Sequence, residues 1–164
     1  MPIEYEHRYL VESIPEWKDF AQIKQRYIGI DSDRSFIQRV RMICSDEHTP
    51  IYLATHKLGR DPFVHEVEYE IPPDAYHELC DYFTIGTPID KVRYHVYIDG
   101  LKWDVDKFAN GMIIAELEDP PEEYSLDGFG ESINLSEMSE FKNFKISLNG
   151  YPEYKHLFEG HCSS

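Results

Sequence analysis

The sequence predicts an α+β fold: an antiparallel sheet of eight strands with a few helices beside it, in a single domain spanning 1–164. Two observations carry this. Alternation of polar and apolar residues with a period of two dominates the first two thirds of the chain, and helical spacing is confined to a few segments. Turn signals separate the alternating runs: "IDG" at 98–100 puts Gly where a tight hairpin needs a positive φ, and "DSDRS" at 31–35 reads as another turn.

Taken in order, the first strand is "IEYEHRYLV" at 3–11. It sends Glu4, Glu6 and Arg8 to one face and Tyr5, His7 and Tyr9 to the other. A helix is expected at 15–25, where Trp17, Phe20 and Ile23 fall near helical spacing as core residues. Strands follow at 26–30, 35–43, 51–57 and 64–71. "PPDAYHELCDYF" at 72–83 opens with prolines, which suit a helix entrance, and puts Tyr76, Leu79, Cys80 and Phe83 on one face. Strands at 91–98, 101–108 and 112–118 complete the sheet. The tail reads as a helix over 134–150, with Asn134 or Ser136 as N-cap and Gly150 beyond its end, then a short turn at 154–160.

The bulk properties narrow the function. At 41% hydrophobic and 14% aromatic residues the chain is globular. A net charge of −15 argues against nucleic-acid and anionic-membrane partners and suits divalent cations. No apolar run approaches the roughly 18–20 residues that span a bilayer. Cys44, Cys80 and Cys162 are widely spaced with no CxxC, which suggests neither a disulfide framework nor structural zinc and fits a reducing, cytoplasmic setting. His7, His65 and His95 show no ligand spacing and read as packing or surface residues.

The chemistry lies in a repeated pattern. Arg39 and Arg41 share a strand face; so do Glu66, Glu68 and Glu70, Lys91 and Arg93, Asp104 and Asp106, and Glu116 and Glu118. Lys57 adds a single cation. The opposite faces carry Val40, Met42, Val67, Tyr69, Val92, Tyr94, Val96, Ala115 and Leu117. Any one such pair is the ordinary solvent face of a half-buried sheet. Across many strands, however, each pair keeps one sign, and like charges this close repel unless something neutralises them. Divalent cations neutralise paired carboxylates. Phosphate neutralises clustered Arg and Lys. A sheet closed into a barrel would turn both sets into one lumen, suited to a metal-bound polyphosphate.

These residues resemble the CYTH superfamily, or triphosphate tunnel metalloenzymes. Its N-terminal E-x-E-x-K strand is similar to Glu4-Tyr5-Glu6-His7-Arg8. "RVR" (39–41), "ATHKLG" (54–59), "EYEI" (68–71), "KVRY" (91–94), "WDVD" (103–106) and "AELE" (115–118) follow in the family's order. The resemblance covers roughly residues 3–118. It implies an antiparallel eight-stranded β-barrel forming a tunnel, a small molecule bearing a triphosphate as substrate, and Mg²⁺ or Mn²⁺ as cofactor. Carried over position by position, it implies Glu4, Glu6, Asp104, Glu116 and Glu118 as metal ligands. Arg8, Arg39, Arg41, Lys57, Lys91 and Arg93 would bind phosphate, with Lys142 or Lys145 closing one mouth. Arg8, Glu4 and Glu6 would carry the catalysis. Position 8 departs from the signature, with Arg in place of Lys. The activity implied is a metal-dependent triphosphatase acting on inorganic, nucleoside or thiamine triphosphate. A triphosphate binder without catalysis and a class IV-type adenylyl cyclase are the alternatives. Family members use the helix corresponding to 72–83 in dimer contacts, which implies a homodimer.

Overall fold

The computed structural model describes residues 3–31, 36–45, 49–60 and 63–159; the side chains of residues 3, 4, 60 and 159 are outside the description. The turn expected within 31–35 therefore lies mostly outside the described residues, as does Cys162. Ten strands are described: β1 (Ile3–Glu4), β2 (Glu6–Val11), β3 (Asp19–Ile30), β4 (Phe36–Cys44), β5 (Ile51–Arg60), β6 (Phe63–Glu70), β7 (Ile85–Ile98), β8 (Leu101–Phe108), β9 (Ile113–Glu118) and β10 (Ser132–Asn134). The helices are α1 (Pro73–Phe83), α2 (Asn143–Asn149) and α3 (Lys155–Glu159), with a 3₁₀ turn at Ser139–Phe141.

All strands join one antiparallel sheet in the order β1-β6-β5-β4-β3-β7-β8-β9-β2-β10. No full-length ladder closes it. Its two ends are nevertheless brought together by one extended stretch, 3–11. Glu4 pairs with Val64 of β6, while Glu6–Val11 pair with β9. The Asp119 N–H donates to the Tyr5 carbonyl at 2.7 Å, carrying the β9 side of this stretch past the break at Tyr5.

Residues opposite one another in an antiparallel ladder share a face. Tracing the register from β2 through β9, β8, β7, β3, β4, β5 and β6 gives one continuous inner face. It carries Glu6, Arg8 and Leu10; Glu118, Glu116 and Ile114; Asp104, Asp106 and Phe108; Lys91, Arg93 and His95; Ile23, Gln25 and Tyr27; Arg39 and Arg41; Thr55 and Lys57; and Glu66 and Glu68.

The inner face is apolar at one end and ionic toward the other. Leu10, Tyr27, Ile89, Phe108 and Ile114 form a cluster that Phe141 and Ile146 complete. The segment after β10 thus plugs one end of the lumen. Gly86 permits its close approach: a Cβ there would stand 2.5 Å from the Ser147 carbonyl oxygen, and Gly86 has φ 74°. The Ser147 hydroxyl donates to the Thr87 carbonyl at 2.6 Å and locks α2 to β7. The outer face has two covers. The 119–131 loop buries Phe129 against Trp103, Val105, Ala115 and Leu117. Helix α1 packs Tyr76, Leu79 and Cys80 on Val40, Ala54 and Met42, leaving Tyr82 and Phe83 exposed.

Two expected elements change. The helix expected at 15–25 is the first half of β3, whose buried positions Ala21, Ile23, Gln25 and Tyr27 recur with period two. The Trp17, Phe20 and Ile23 spacing reflected instead an aromatic contact across the strand entrance, Trp17 to Phe20 at 5.5 Å, and Trp17 is 45% exposed, not core. The tail helix starts late: Asn134 accepts from the Ser136 N–H in a local turn, and Lys142 stands at the N-cap of α2, with Gly150 closing it at φ 87°. The hairpin at 98–100 forms as expected, with Asp99 at φ 50° and Gly100 at φ 79°. Among the described residues, no helix is long and apolar enough to cross a membrane.

Candidate functional site: an ionic lumen

The charged side chains of the lumen form an acid–base weave. Arg93 donates through Nε and Nη2 to the two oxygens of Asp106, at 2.7 and 2.9 Å, and Lys91 Nζ lies 2.8 Å from Asp106 Oδ2. Asp106 is fully buried. Burial alone would raise its carboxyl pKa; Arg93 and Lys91 outweigh that and hold it far below the usual range. Arg93 is raised well above its ordinary value, because Asp106 overcomes the cost of burial. Lys91 goes the other way. Burial and the Arg93 charge bring its ammonium down to about 8, against the pull of Asp106.

Across the lumen, Arg41 Nη2 donates to Glu68 at 2.8 Å, and the Thr55 hydroxyl donates to the same oxygen at 2.7 Å. Arg39 stands 3.5 Å from Glu66. The Nε atoms of Arg39 and Arg41 are buried with no hydrogen-bond partner. Burial and repulsion from Arg39 and Arg93 lower the Arg41 guanidinium to about 10. Lys142, at the tip of the plug, is lowered by burial and by Arg8, Lys57 and Lys145 around it. Cations from β4, β7 and the plug therefore crowd one interior, and around Arg41, Lys91 and Lys142 the carboxylates do not offset burial and mutual repulsion.

The carboxylates collect toward the other side. Glu6 stands opposite Glu118, and Glu116 stands between Arg8 and Asp104 in register. Burial raises the Glu118 pKa, reinforced by Asp119, Glu66, Asp104 and Glu116. Asp104 Oδ1 is buried and accepts no hydrogen bond. Arg8 uses both arms of its fork: Nε donates to Glu116 Oε1 at 3.0 Å, and Nη2 donates to the Phe141 carbonyl of the plug at 3.1 Å. Arg8 is raised despite burial by Glu116 and Glu6, and Glu116 is lowered despite burial, chiefly by Arg8.

The ionic strand positions singled out in the sequence thus share the inner face by register, while Lys142 and Lys145 lie on the segment after β10 and have no place in a ladder. For Glu4 this holds for the backbone alone, since its side chain lies outside the described residues. The positions are not all gathered equally. Among the described residues, no three acidic, His or Cys side chains are close enough together to hold a cation. The donor set suits a hard ion in its chemistry: oxygen ligands only, one orphaned carboxylate oxygen and a mutually repelling group around Glu118. Asp106, by contrast, is fully engaged by two cations.

Some lumen residues escape the sequence pattern. Gln25 and Tyr27 line the inner face beside Arg41 and Arg39 but were hidden in a segment with apparent helical spacing. Asn143 accepts from Lys91 at 3.3 Å. His95 is a lumen residue, not a packing or surface one. Its Nδ1 bonds to Asp19, and its Nε2 lies 3.6 Å from Asp104 Oδ1. The period-two register from Arg93 was the signal that could have found it.

No family model matches the chain. It is 31% identical over 125 residues, 73% of this chain and 76% of the relative, to an inorganic triphosphatase from Acetivibrio thermocellus. The chain belongs to the CYTH superfamily. The CYTH fold also appears in solved structures. An inorganic triphosphatase superposes with a TM-score of 0.63 at 23% identity, covering 93% of this chain and 99% of that one. A putative adenylyl cyclase from Hippeastrum with a dominant triphosphatase activity gives 0.53 at 12% identity, covering 73% and 80%.

Proposed function

We propose that this CYTH chain is a cytoplasmic, Mg²⁺- or Mn²⁺-dependent triphosphatase that hydrolyses a triphosphate held inside its lumen. The observation that carries the reading is the crowding of Arg8, Arg39, Arg41, Lys91 and Arg93 around one interior, with Arg41 drawn down to about 10 and two guanidinium Nε atoms without partners. Such crowding lacks an anion of several charges. Guanidinium forks match phosphate oxygens in pairs, and the buried setting strengthens each contact.

The chain's own residues bind the phosphates, hold them in line and spread the charge that develops as a P–O anhydride bond breaks. The buried plug keeps bulk water from the apolar end. Glu6, Asp104, Glu116 and Glu118, with Glu4, would hold the divalent ion, which when bound supplies charge neutralisation and an acidified water. Arg8 bridges this carboxylate group to the phosphate side and to the plug.

Phosphate release from tripolyphosphate and from ATP, with Mg²⁺ or Mn²⁺, tests the reading. Turnover is expected with at least one ion and its loss in Glu6→Gln. Tight calorimetric binding of tripolyphosphate without hydrolysis would leave a binder instead, the reading that Arg8 in the signature position favours; cyclic AMP from ATP would indicate cyclisation.

The lysine at 91 adds a pH signature. Its ammonium is charged below about 8 and neutral above. Tripolyphosphate affinity is therefore expected to weaken as pH rises through 8, and Lys91→Arg to flatten that limb, because guanidinium keeps its proton. Calorimetric Kd between pH 6.5 and 9.5 measures it.

A further inference from the structure

We infer that His95 is a nitrogen ligand for the divalent ion of the lumen, paired with Asp104, and that it turns the site toward Mn²⁺ over Mg²⁺. This rests on the metal-dependent reading and deepens it by naming a ligand and the ion it selects.

Three strands set the arrangement. Asp19 of β3 stands opposite His95 of β7, and His95 stands opposite Asp104 of β8; Glu116 of β9 follows opposite Asp104. His95 is the next inner-face position on β7 after Lys91 and Arg93, where the cations give way to the carboxylates.

The hydrogen bonds decide what the imidazole presents. Asp19 is a carboxylate and only accepts, so the His95 Nδ1 that meets it carries the proton. A neutral ring then shows a bare lone pair at Nε2. That atom lies 3.6 Å from Asp104 Oδ1, which is buried and accepts no hydrogen bond. The other oxygen of Asp104 is turned to Arg93 at 3.6 Å. Two acceptors thus face each other with no hydrogen between them, and a cation completes such a pair. Ligands about 2.1 Å from one ion stand about 3.0–3.6 Å apart at angles of about 90–120°, a range that includes the observed spacing. Asp19 supplies the second feature of a metal-bound histidine: such a ring donates its other N–H to a carboxylate, which fixes its orientation and raises its basicity.

Two side chains suffice beside a substrate. Ions that serve phosphoryl transfer are held by one or two side chains and by the phosphates themselves. This agrees with the absence, among the described residues, of three acidic, His or Cys side chains close enough to hold a cation unaided. The choice of ion follows from the nitrogen. Carboxylate and phosphate oxygens suit Mg²⁺ and Mn²⁺ alike, whereas imidazole suits transition ions and adds little for Mg²⁺.

The test uses the whole chain with a methylene-bridged analogue of tripolyphosphate, which is not hydrolysed and brings no nitrogen. Pulsed EPR of bound Mn²⁺ is expected to show nitrogen coupling in wild type and none in His95→Gln. Calorimetry is expected to give about a tenfold loss of Mn²⁺ affinity in His95→Gln, with Mg²⁺ affinity within about twofold of wild type. If His95→Gln does not fold, wild type carrying isotopically labelled histidine decides: the coupling must change with the label. Mn²⁺ bound without nitrogen coupling, coupling that persists in His95→Gln, equal losses for both ions, or no Mn²⁺ binding at all each overturns the ligand. The two readings fail separately. Turnover of tripolyphosphate without nitrogen coupling removes His95 from the site and keeps the triphosphatase; coupling without turnover keeps His95 as a ligand and removes the triphosphatase.

Discussion

Arg41→Ala is expected to lower kcat/KM for tripolyphosphate by about 10²–10³-fold, the loss typical of one preorganised charge-stabilising donor. The same substitution is expected to leave the fold nearly as stable as wild type. The reason is electrostatic. Arg41 sits among Arg39 and Arg93, whose charges repel it, and burial adds to the cost; together they lower its pKa to about 10. Its compensation is a single carboxylate contact, Glu68 at 2.8 Å, and Glu68 keeps the Thr55 hydroxyl when Arg41 is removed. A cation held against repulsion contributes little to stability in the ligand-free protein and much to binding an anion. Steady-state kinetics with tripolyphosphate, set beside thermal unfolding without ligand, separates the two effects. Undiminished turnover in Arg41→Ala would remove the phosphate-binding role of β4; a large loss of stability would show that its guanidinium is a structural brace.

The parts of the fold legible in the sequence are those where alternation was strict and chemically one-sided. On β8, Asp104 and Asp106 alternate with Trp103 and Val105, and the span 101–108 matches the structure. The one-sign pairs revealed the inner face because a lumen fixes side-chain direction through register: a slip of one residue would turn Arg39 and Arg41 outward and Val40 inward. β3 was illegible for the opposite reason. Its inner face carries Ala21, Ile23, Gln25 and Tyr27, which mix small, apolar and polar character, while Trp17 and Phe20 supply a local spacing that mimics a helix. The plug was half legible. Gly150 marked its end, but its start depends on Phe141 and Ile146 finding an apolar lumen floor contributed by strands far away in sequence.

The site followed the same division. Residue types revealed which strands carry charge, and register placed them in one interior. Partnership was not readable. Nothing in "KVRYHVYIDGLKWDVDKF" distinguishes Asp104, with a buried oxygen that accepts no hydrogen bond, from Asp106, sealed between Lys91 and Arg93. That distinction arises from strand pairing between β7 and β8, where Arg93 stands opposite Asp106 and His95 opposite Asp104. The Arg8 fork is similar: its second partner is a backbone carbonyl of the plug, which leaves no trace in side-chain chemistry.

Asp106→Asn is expected to be the most destabilising single change in the lumen, by about 3–5 kcal/mol, because it leaves Lys91 and Arg93 buried without their shared anion. The sign of the pH dependence follows from the depressed carboxyl. A group whose folded pKa lies below the ordinary 3.8 adds stability above that value, and the contribution is lost as pH falls toward the folded pKa. Denaturant unfolding at pH 7 should therefore show the full loss, and the gap between variant and wild type should narrow as pH falls below 3.8. With the carboxylate gone, the Lys91 ammonium loses the group that opposes its burial and falls below about 8, so part of the variant population carries a neutral lysine at pH 7. Two further measurements make the interpretation specific. Tripolyphosphate should stabilise Asp106→Asn more than it stabilises wild type, since the ligand supplies the anion that the substitution removed. Replacing Lys91 by Met in the same chain should recover part of the lost stability, since an apolar side chain of similar length is better tolerated there than an unpaired charge. If Asp106→Asn unfolds at the wild-type denaturant midpoint, Asp106 is not the counter-ion that aims Lys91 and Arg93 into the lumen.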